Sequence, residues 1–127
     1  MVVDTSALIA IFRDEPEAGV FLDKIVTTKE VLIAAPTRLE AFVVASRRYG
    51  DERAAELADL IKDLHLTTVA FDADLTGVAE TAYRTFGRGR RGLNYGDCFS
   101  YALAKARDLP LLFKGEDFAA TDVKRAV

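Results

Sequence analysis

Four acidic residues stand in surroundings that do not otherwise call for charge. Asp4 follows two valines in MVVDTSALIA and precedes an apolar run. Glu40 lies in TRLEAF, Asp97 in LNYGDCFSYALA and Asp117 in KGEDFAA. Each has a structural explanation alone, because an acid ahead of a helix caps it and an acid in a first turn meets the helix dipole favourably. For Asp4 that explanation is weakened by Thr5 and Ser6, either of which can cap the same helix. As a set the four can do more. Partly buried carboxylates brought together raise one another's proton affinity unless a cation compensates. A hard divalent ion, Mg2+ or Mn2+, suits a site made of carboxylates and waters. Such ions activate water and stabilise the leaving oxygen when a phosphodiester is cleaved.

Cationic residues are distributed in a way that fits this chemistry. The stretch RTFGRGRRG carries Arg84, Arg88, Arg90 and Arg91 with no acid among them, and Gly87, Gly89 and Gly92 make it a flexible loop. Alone it is a solvated loop like many others. It immediately precedes the segment with Asp97, however, and a polyanion approaching an acidic metal site needs positive charge nearby to hold its phosphates. Arg88, Arg90 and Arg91 are therefore candidate contacts to the phosphates of such a polyanion. The combination points to a metal-dependent nuclease.

Composition removes several other classes. The 127 residues are 50% hydrophobic and 29% charged, as expected for one globular domain over residues 1–127. The net charge of −3 argues against a protein that coats nucleic acid. No apolar run approaches the roughly 20 residues needed to span a bilayer, and no basic segment leads into a signal sequence. A cytoplasmic location with no membrane partner follows as the expectation. One cysteine, Cys98, rules out an internal disulfide and a cysteine zinc site, and a single histidine, His65, argues against a His-rich metal site or a Ser-His-Asp triad. Both are expected to be structural.

The elements that must position the acids alternate between short β-branched runs and longer amphipathic stretches. Strands are expected at 1–4, 30–34, 66–71 and 109–114, with a last short one at 122–127. Helices are expected from Ser6 to Phe12, from Pro16 to about Val26, from Pro36 to Gly50, from Asp51 to Leu64, from Asp72 or Asp74 to about Thr85, and from Tyr95 to Arg107. Their expected buried faces are Val20, Phe21 and Ile25 in the second helix and Leu39, Phe42, Val43 and Ser46 in the third. In the fourth, Ala54, Leu57, Ala58, Ile61 and Leu64 recur at helical spacing and could serve the core or a dimer interface. Strands joined through helices imply a largely parallel sheet covered on both faces, hence a three-layer α/β/α sandwich. In such folds strand carboxyl ends and helix amino ends share one edge, where ligands bind. All four acids can meet there.

VVDTSALIAIF, TRLEAF, LNYGDCFSYALAKARDLPLLFKGEDF and the closing TDV together resemble PIN-domain ribonucleases, in particular the VapC toxins of bacterial toxin–antitoxin pairs. The resemblance runs in order along essentially the whole chain. It implies a PIN-domain fold, Mg2+- or Mn2+-dependent endoribonuclease activity on an RNA substrate, a homodimer, and neutralisation by a cognate VapB-like antitoxin. Asp4, Glu40 and Asp97 match the family's first three acids. Asp117 matches the more variable fourth, with Glu116 beside it as the alternative, and Thr5 or Ser6 matches the supporting hydroxyl. Asn94 either lines the site or serves as a turn or cap.

Other families with an acid after the first strand fit less well. A haloacid-dehalogenase-type phosphatase wants an acid where Ser6 stands, and a receiver domain wants an early acidic pair that Asp4 lacks. The competing class is a PIN-like scaffold that binds RNA or a protein without cleaving, which loss of some of the four acids would have signalled.

Overall fold

The structure, a computed structural model, describes residues 1–127. Along the chain run β1 (Val2–Val3), α1 (Thr5–Phe12), α2 (Ala18–Thr27), β2 (Leu32–Ala34), α3 (Ala35–Tyr49), α4 (Asp51–Asp63), β3 (Thr67–Val69), α5 (Ala73–Phe86), α6 (Tyr95–Ala106) and β4 (Leu111–Leu112). The four strands form one parallel sheet in the order β3-β2-β1-β4.

Side chains of a strand alternate between faces, and that period sorts the core into two halves. Val3, Ile33 and Leu112 join Leu8, Phe21, Ile25 and Leu57 on the side covered by α1 to α4. Val2, Leu32 and Leu111 join Leu75, Leu103 and Phe113 on the side covered by α5 and α6. Burial on both faces explains why β1, β2 and β4 read as unbroken apolar runs, whereas β3, at the sheet edge, is polar and largely exposed. The expected three-layer sandwich is the architecture found.

The order also locates the functional edge. Steps from β1 to β2 to β3 move in one direction, whereas β4 lies on the opposite side of β1. The crevice beyond the carboxyl ends of β1 and β4 is where such a sheet binds ligands.

Several sequence expectations are corrected. Pro16 lies in a turn ahead of α2, which begins at Ala18. In α3 the period was read correctly but the phase was not: Leu39, Phe42 and Val43 are 62%, 41% and 38% exposed, and the buried face is Thr37, Ala41 and Ala45. This helix packs against α1, α4 and α6 at once, and only alanine-sized side chains allow approach on all those sides. Val20 is likewise exposed while Phe21 and Ile25 are buried. In α4, Ala54, Leu57 and Ile61 are consumed by this chain's own core, and Ala58 and Leu64 are half-buried. Asp72, not Asp74, caps α5 by accepting from the Leu75 amide at 3.0 Å. The expected last strand reduces to one bridge, Leu111 to Arg125. The tail there is held by the Tyr101 hydroxyl, which donates to Asp122 at 2.6 Å.

The inverted phase of α3 has a measurable consequence. Ala45→Leu should cost about 1–3 kcal/mol by overpacking, and Val20→Lys should stay within about 0.5 kcal/mol. Urea unfolding of both variants checks this, and equal costs would contradict the burial pattern.

Candidate functional site

Asp4 ends β1 and is 4% exposed. It is itself the cap of α1, since its Oδ2 accepts from the Ser6 amide at 2.9 Å and from the Ser6 hydroxyl at 2.6 Å. Thr5 and Ser6, read from the sequence as the cap, lie inside the helix. Capping uses one oxygen only. Oδ1 accepts from the Ser100 hydroxyl of α6 at 2.6 Å. Thr37 of α3 stands 3.2 Å from that hydroxyl, and because a hydroxyl carries one proton, Thr37 donates to Ser100 and Ser100 to Asp4. On the other side the Lys114 amide donates to Ser6 Oγ at 3.0 Å.

Glu40 lies in the second turn of α3 and is half-buried. Its Oε2 accepts from the Thr5 hydroxyl at 2.5 Å. Facing it is Gly96 in the first turn of α6, where an added Cβ would overlap Glu40 Oε1. Glycine costs helix stability at such a place, and here the missing side chain leaves room for the carboxylate.

Asp97 is 7% exposed. Its Oδ2 accepts from the Asn94 amide while Asn94 Oδ1 accepts from the Asp97 amide, both at 2.9 Å, so the two form a reciprocal cap on α6. The capping alternative for Asn94 is thus the one found. Burial first, and then the charges of Asp4, Asp117 and Glu40, together push the Asp97 carboxyl up to about 6 against the lowering effect of the Asn94 bond. Three other elements therefore bring negative charge to bear on this helix.

Asp4, Glu40, Asp97 and Asp117 line one cavity of about 280 Å³ together with Thr5, Ser6, Arg48 and Lys114. Asp117 is exposed in the turn after β4, and Glu116 does not line the cavity. No three of these acids stand grouped so as to hold one ion together without bridging water. Thr5, Ser6, Ser100 and Asn94 each engage a carboxylate oxygen, and each carboxylate keeps unused lone pairs. Of the two cations on the cavity wall, Lys114 pairs through Nζ with Glu15, which lines the same cavity, and at 3.2 Å with Glu17, while Arg48 enters no ion pair. Four carboxylates held by neutral donors have the donor chemistry of a divalent-ion site.

Not every sequence candidate converges. Arg88, Arg90 and Arg91 are exposed in the loop before α6 and do not line the acidic cavity. Cys98 is buried, and His65 is exposed with φ 55° in the turn after α4. Sequence reasoning passed over Ser100, Thr37, Gly96 and Lys114. Two of these carried a signal, since Ser100 follows Asp97 by three residues and Thr37 precedes Glu40 by three, which puts each pair on one helix face.

With this geometry in view, comparison with known proteins defines the class. The PIN domain family matches residues 1–124. A Ribonuclease VapC of Mycolicibacterium smegmatis is 46% identical over 125 residues, covering 97% of this chain and 97% of that protein. Ribonuclease VapC30 of Mycobacterium tuberculosis is also 46% identical over 125 residues, covering 97% and 95%. Among solved structures, the sarcin-ricin loop cleaving toxin VapC20 of Mycobacterium tuberculosis aligns with a TM-score of 0.76 at 20% identity, over 96% of this chain and 95% of that one. The chain belongs to the PIN-domain family and, within it, to the VapC ribonucleases.

The raised Asp97 carboxyl carries a sign. Its folded value, about 6, lies above the ordinary 3.8, so ionising it opposes folding; the penalty is absent below about pH 4 and complete above pH 6. In EDTA, Asp97→Asn should melt higher than wild type at pH 8, with the gap closing by pH 4. A variant that melts lower at pH 8 would show that the acid is compensated within the protein.

Proposed function

We propose that this chain is the toxin of a VapBC-like type II toxin–antitoxin pair, an endoribonuclease that hydrolyses RNA phosphodiester bonds with Mg2+ or Mn2+. The observation that carries the reading is the gathering of Asp4, Glu40, Asp97 and Asp117 around one cavity, with Asp97 destabilised as an anion by burial and by the other three. Identity of 46% to VapC ribonucleases supports the same reading from sequence.

Asp4, Glu40 and Asp97 would hold the ion directly or through water, with Asp117 completing the set. When bound, such an ion polarises a phosphate oxygen and lowers the pKa of water. The protein's own part is preorganisation. Ser6 and Ser100 fix both oxygens of Asp4, Thr5 fixes Glu40, and Asn94 fixes Asp97. Arg48 and Lys114 border the cavity and can orient an incoming phosphate, and Arg88, Arg90 and Arg91 can hold RNA further along the strand. Residues 1–127 act here as one PIN domain in the cytoplasm; no helix is long and apolar enough to cross a membrane. A VapB-like antitoxin is the protein partner. A second copy of the chain completes a homodimer, for which exposed Leu39, Phe42 and Val43 of α3 offer an apolar face.

Purified, antitoxin-free protein incubated with structured RNAs should cut in Mg2+ or Mn2+ and not in EDTA, and Asp4→Ala and Asp97→Ala should abolish the cuts. Cleavage indifferent to EDTA and to both substitutions would sink the reading. Independently of activity, either cation should raise the melting temperature of wild type, by about 2.7 kcal/mol of stabilisation at a hundredfold excess over its dissociation constant, and should leave Asp97→Ala unmoved. Gly96→Ala should keep the fold but shrink that cation-induced rise, because the added methyl displaces the Glu40 carboxylate.

A further inference from the structure

A second and larger cavity, about 980 Å³, opens between α5, the start of α6 and the loop 87–94. Its walls are aromatic. Phe71, Phe99 and Tyr95 stand in edge-to-face sequence, with centroids 4.9 Å apart for Phe71 and Phe99 and 4.8 Å for Tyr95 and Phe99. Tyr83 joins them from α5. Tyr95 is 81% exposed, which is unusual for a ring this size with so much of its neighbourhood apolar.

Polar groups are interspersed with the rings. Thr76, Glu80, Arg84 and Asn94 line the cavity, and the side-chain NH2 of Asn94 has no partner within the protein, its Oδ1 being the capping atom. One wall is cationic, since Arg84 lines the cavity, and the loop that continues from Gly87 to Gly92, both on the wall, carries Arg88, Arg90 and Arg91. All four arginines are exposed, and none takes part in any of the protein's ion pairs. The loop is less free than its glycines suggested: Gly92 presses on the backbone of Gly87, where a Cβ would overlap it, and the Leu93 amide bonds to the Phe86 carbonyl at 2.9 Å. The two ends of the arginine loop are thus anchored beside the cavity.

The cavity adjoins the acidic site along the start of α6: Asn94 and Tyr95 line it, and Asp97, capped by Asn94, lines the other. Exposed rings beside unpaired cations are how single-stranded nucleic acid is held: bases stack on the rings and phosphates meet the guanidinium groups. Hydrogen-bonding groups at the ring edges add a means of reading the base.

We propose that this cavity is a subsite for an unpaired nucleobase of the RNA strand, stacked on Tyr95, with Arg84 and the loop arginines on the adjoining phosphates. The proposal rests on the nuclease reading and adds to it a place where base identity is sensed.

The test uses the full chain carrying Asp97→Asn, so that RNA binds without being cut, and a short fluorescein-labelled single-stranded RNA of mixed sequence followed by anisotropy. Tyr95→Ala in that background should weaken binding about fivefold to a hundredfold, the range for loss of one stacked base, while Tyr95→Phe retains it. An abasic ribose-phosphate strand of equal length should bind both proteins alike. Tyr95 is solvent-facing, so the fold should survive, as melting temperature will report, and Tyr83→Ala provides a second probe of the same cavity. Undiminished RNA binding by Tyr95→Ala, or equal binding of the abasic strand to the unsubstituted background, overturns the proposal. So does a loss confined to an antitoxin peptide, which would give the cavity to a protein partner. Cleavage of the same RNA by the wild type is measured alongside. Cleavage with Tyr95-independent binding leaves the nuclease standing and removes the subsite; Tyr95-dependent binding without cleavage does the reverse; neither binding nor cleavage overturns both.

Discussion

Asp4 is a carboxylate buried at the end of an interior strand, and hydroxyls and an amide surround it. Burying an unpaired charge costs several kcal/mol, and here Ser6 and Ser100 supply the hydrogen bonds that offset it. Those same bonds join β1 to α1 and α6. Through Thr37 they reach α3, and through the Lys114 amide they reach the chain leaving β4. The edge of the sheet that carries the other acids is therefore assembled around this one group. A different register of β1 against β4, where Val2 pairs with Leu111 and Val3 with Leu112, would move Asp4 away from Ser100 and leave both partners unsatisfied.

The way these carboxylates are satisfied matters as much as the fact that they are. Neutral donors relieve desolvation without cancelling charge. Lys114 borders the cavity, but its ammonium is paired with Glu15, on the same wall, and with Glu17, so its charge is taken up by acids outside the four. The charge gathered here adds to burial in holding the Asp97 carboxyl above its ordinary value. A nearby cation is the general remedy for carboxylates brought together in this way.

Much of this was legible in the sequence, for identifiable reasons. Strand–helix alternation and the end-of-strand position of Asp4 follow from local patterns, so the layered fold and the acidic edge could both be anticipated. What failed was what depends on distant neighbours. In α3 the large apolar residues suggested the buried face, but a helix flanked by three others buries its alanines and exposes Leu39 and Phe42. Asp4 was posed as either cap or site residue, although a carboxylate has two oxygens and this one uses them separately. Ser100 lies 96 positions from Asp4, and no local pattern connects a serine in one helix with an acid at the first strand's end. The last strand was overestimated because a run with strand composition beside an edge strand can pair once and stop.

The separation of the arginines from the acids resolves what otherwise looks like a conflict. A nuclease must attract a cation and a polyanion to neighbouring places, and a single mixed cluster would satisfy its own charges. The four acids line one cavity, and of Arg84, Arg88, Arg90 and Arg91 only Arg84 lines the other, so these two sets of opposite charge do not share a wall. Helix α6 is the divider. Its first turn presents Asp97 to the acidic cavity and Tyr95 to the aromatic one, and the loop that delivers the arginines ends at its cap, Asn94. The net charge of −3 is then no obstacle to binding RNA, because local placement, and not the overall sum, decides where a phosphate is drawn.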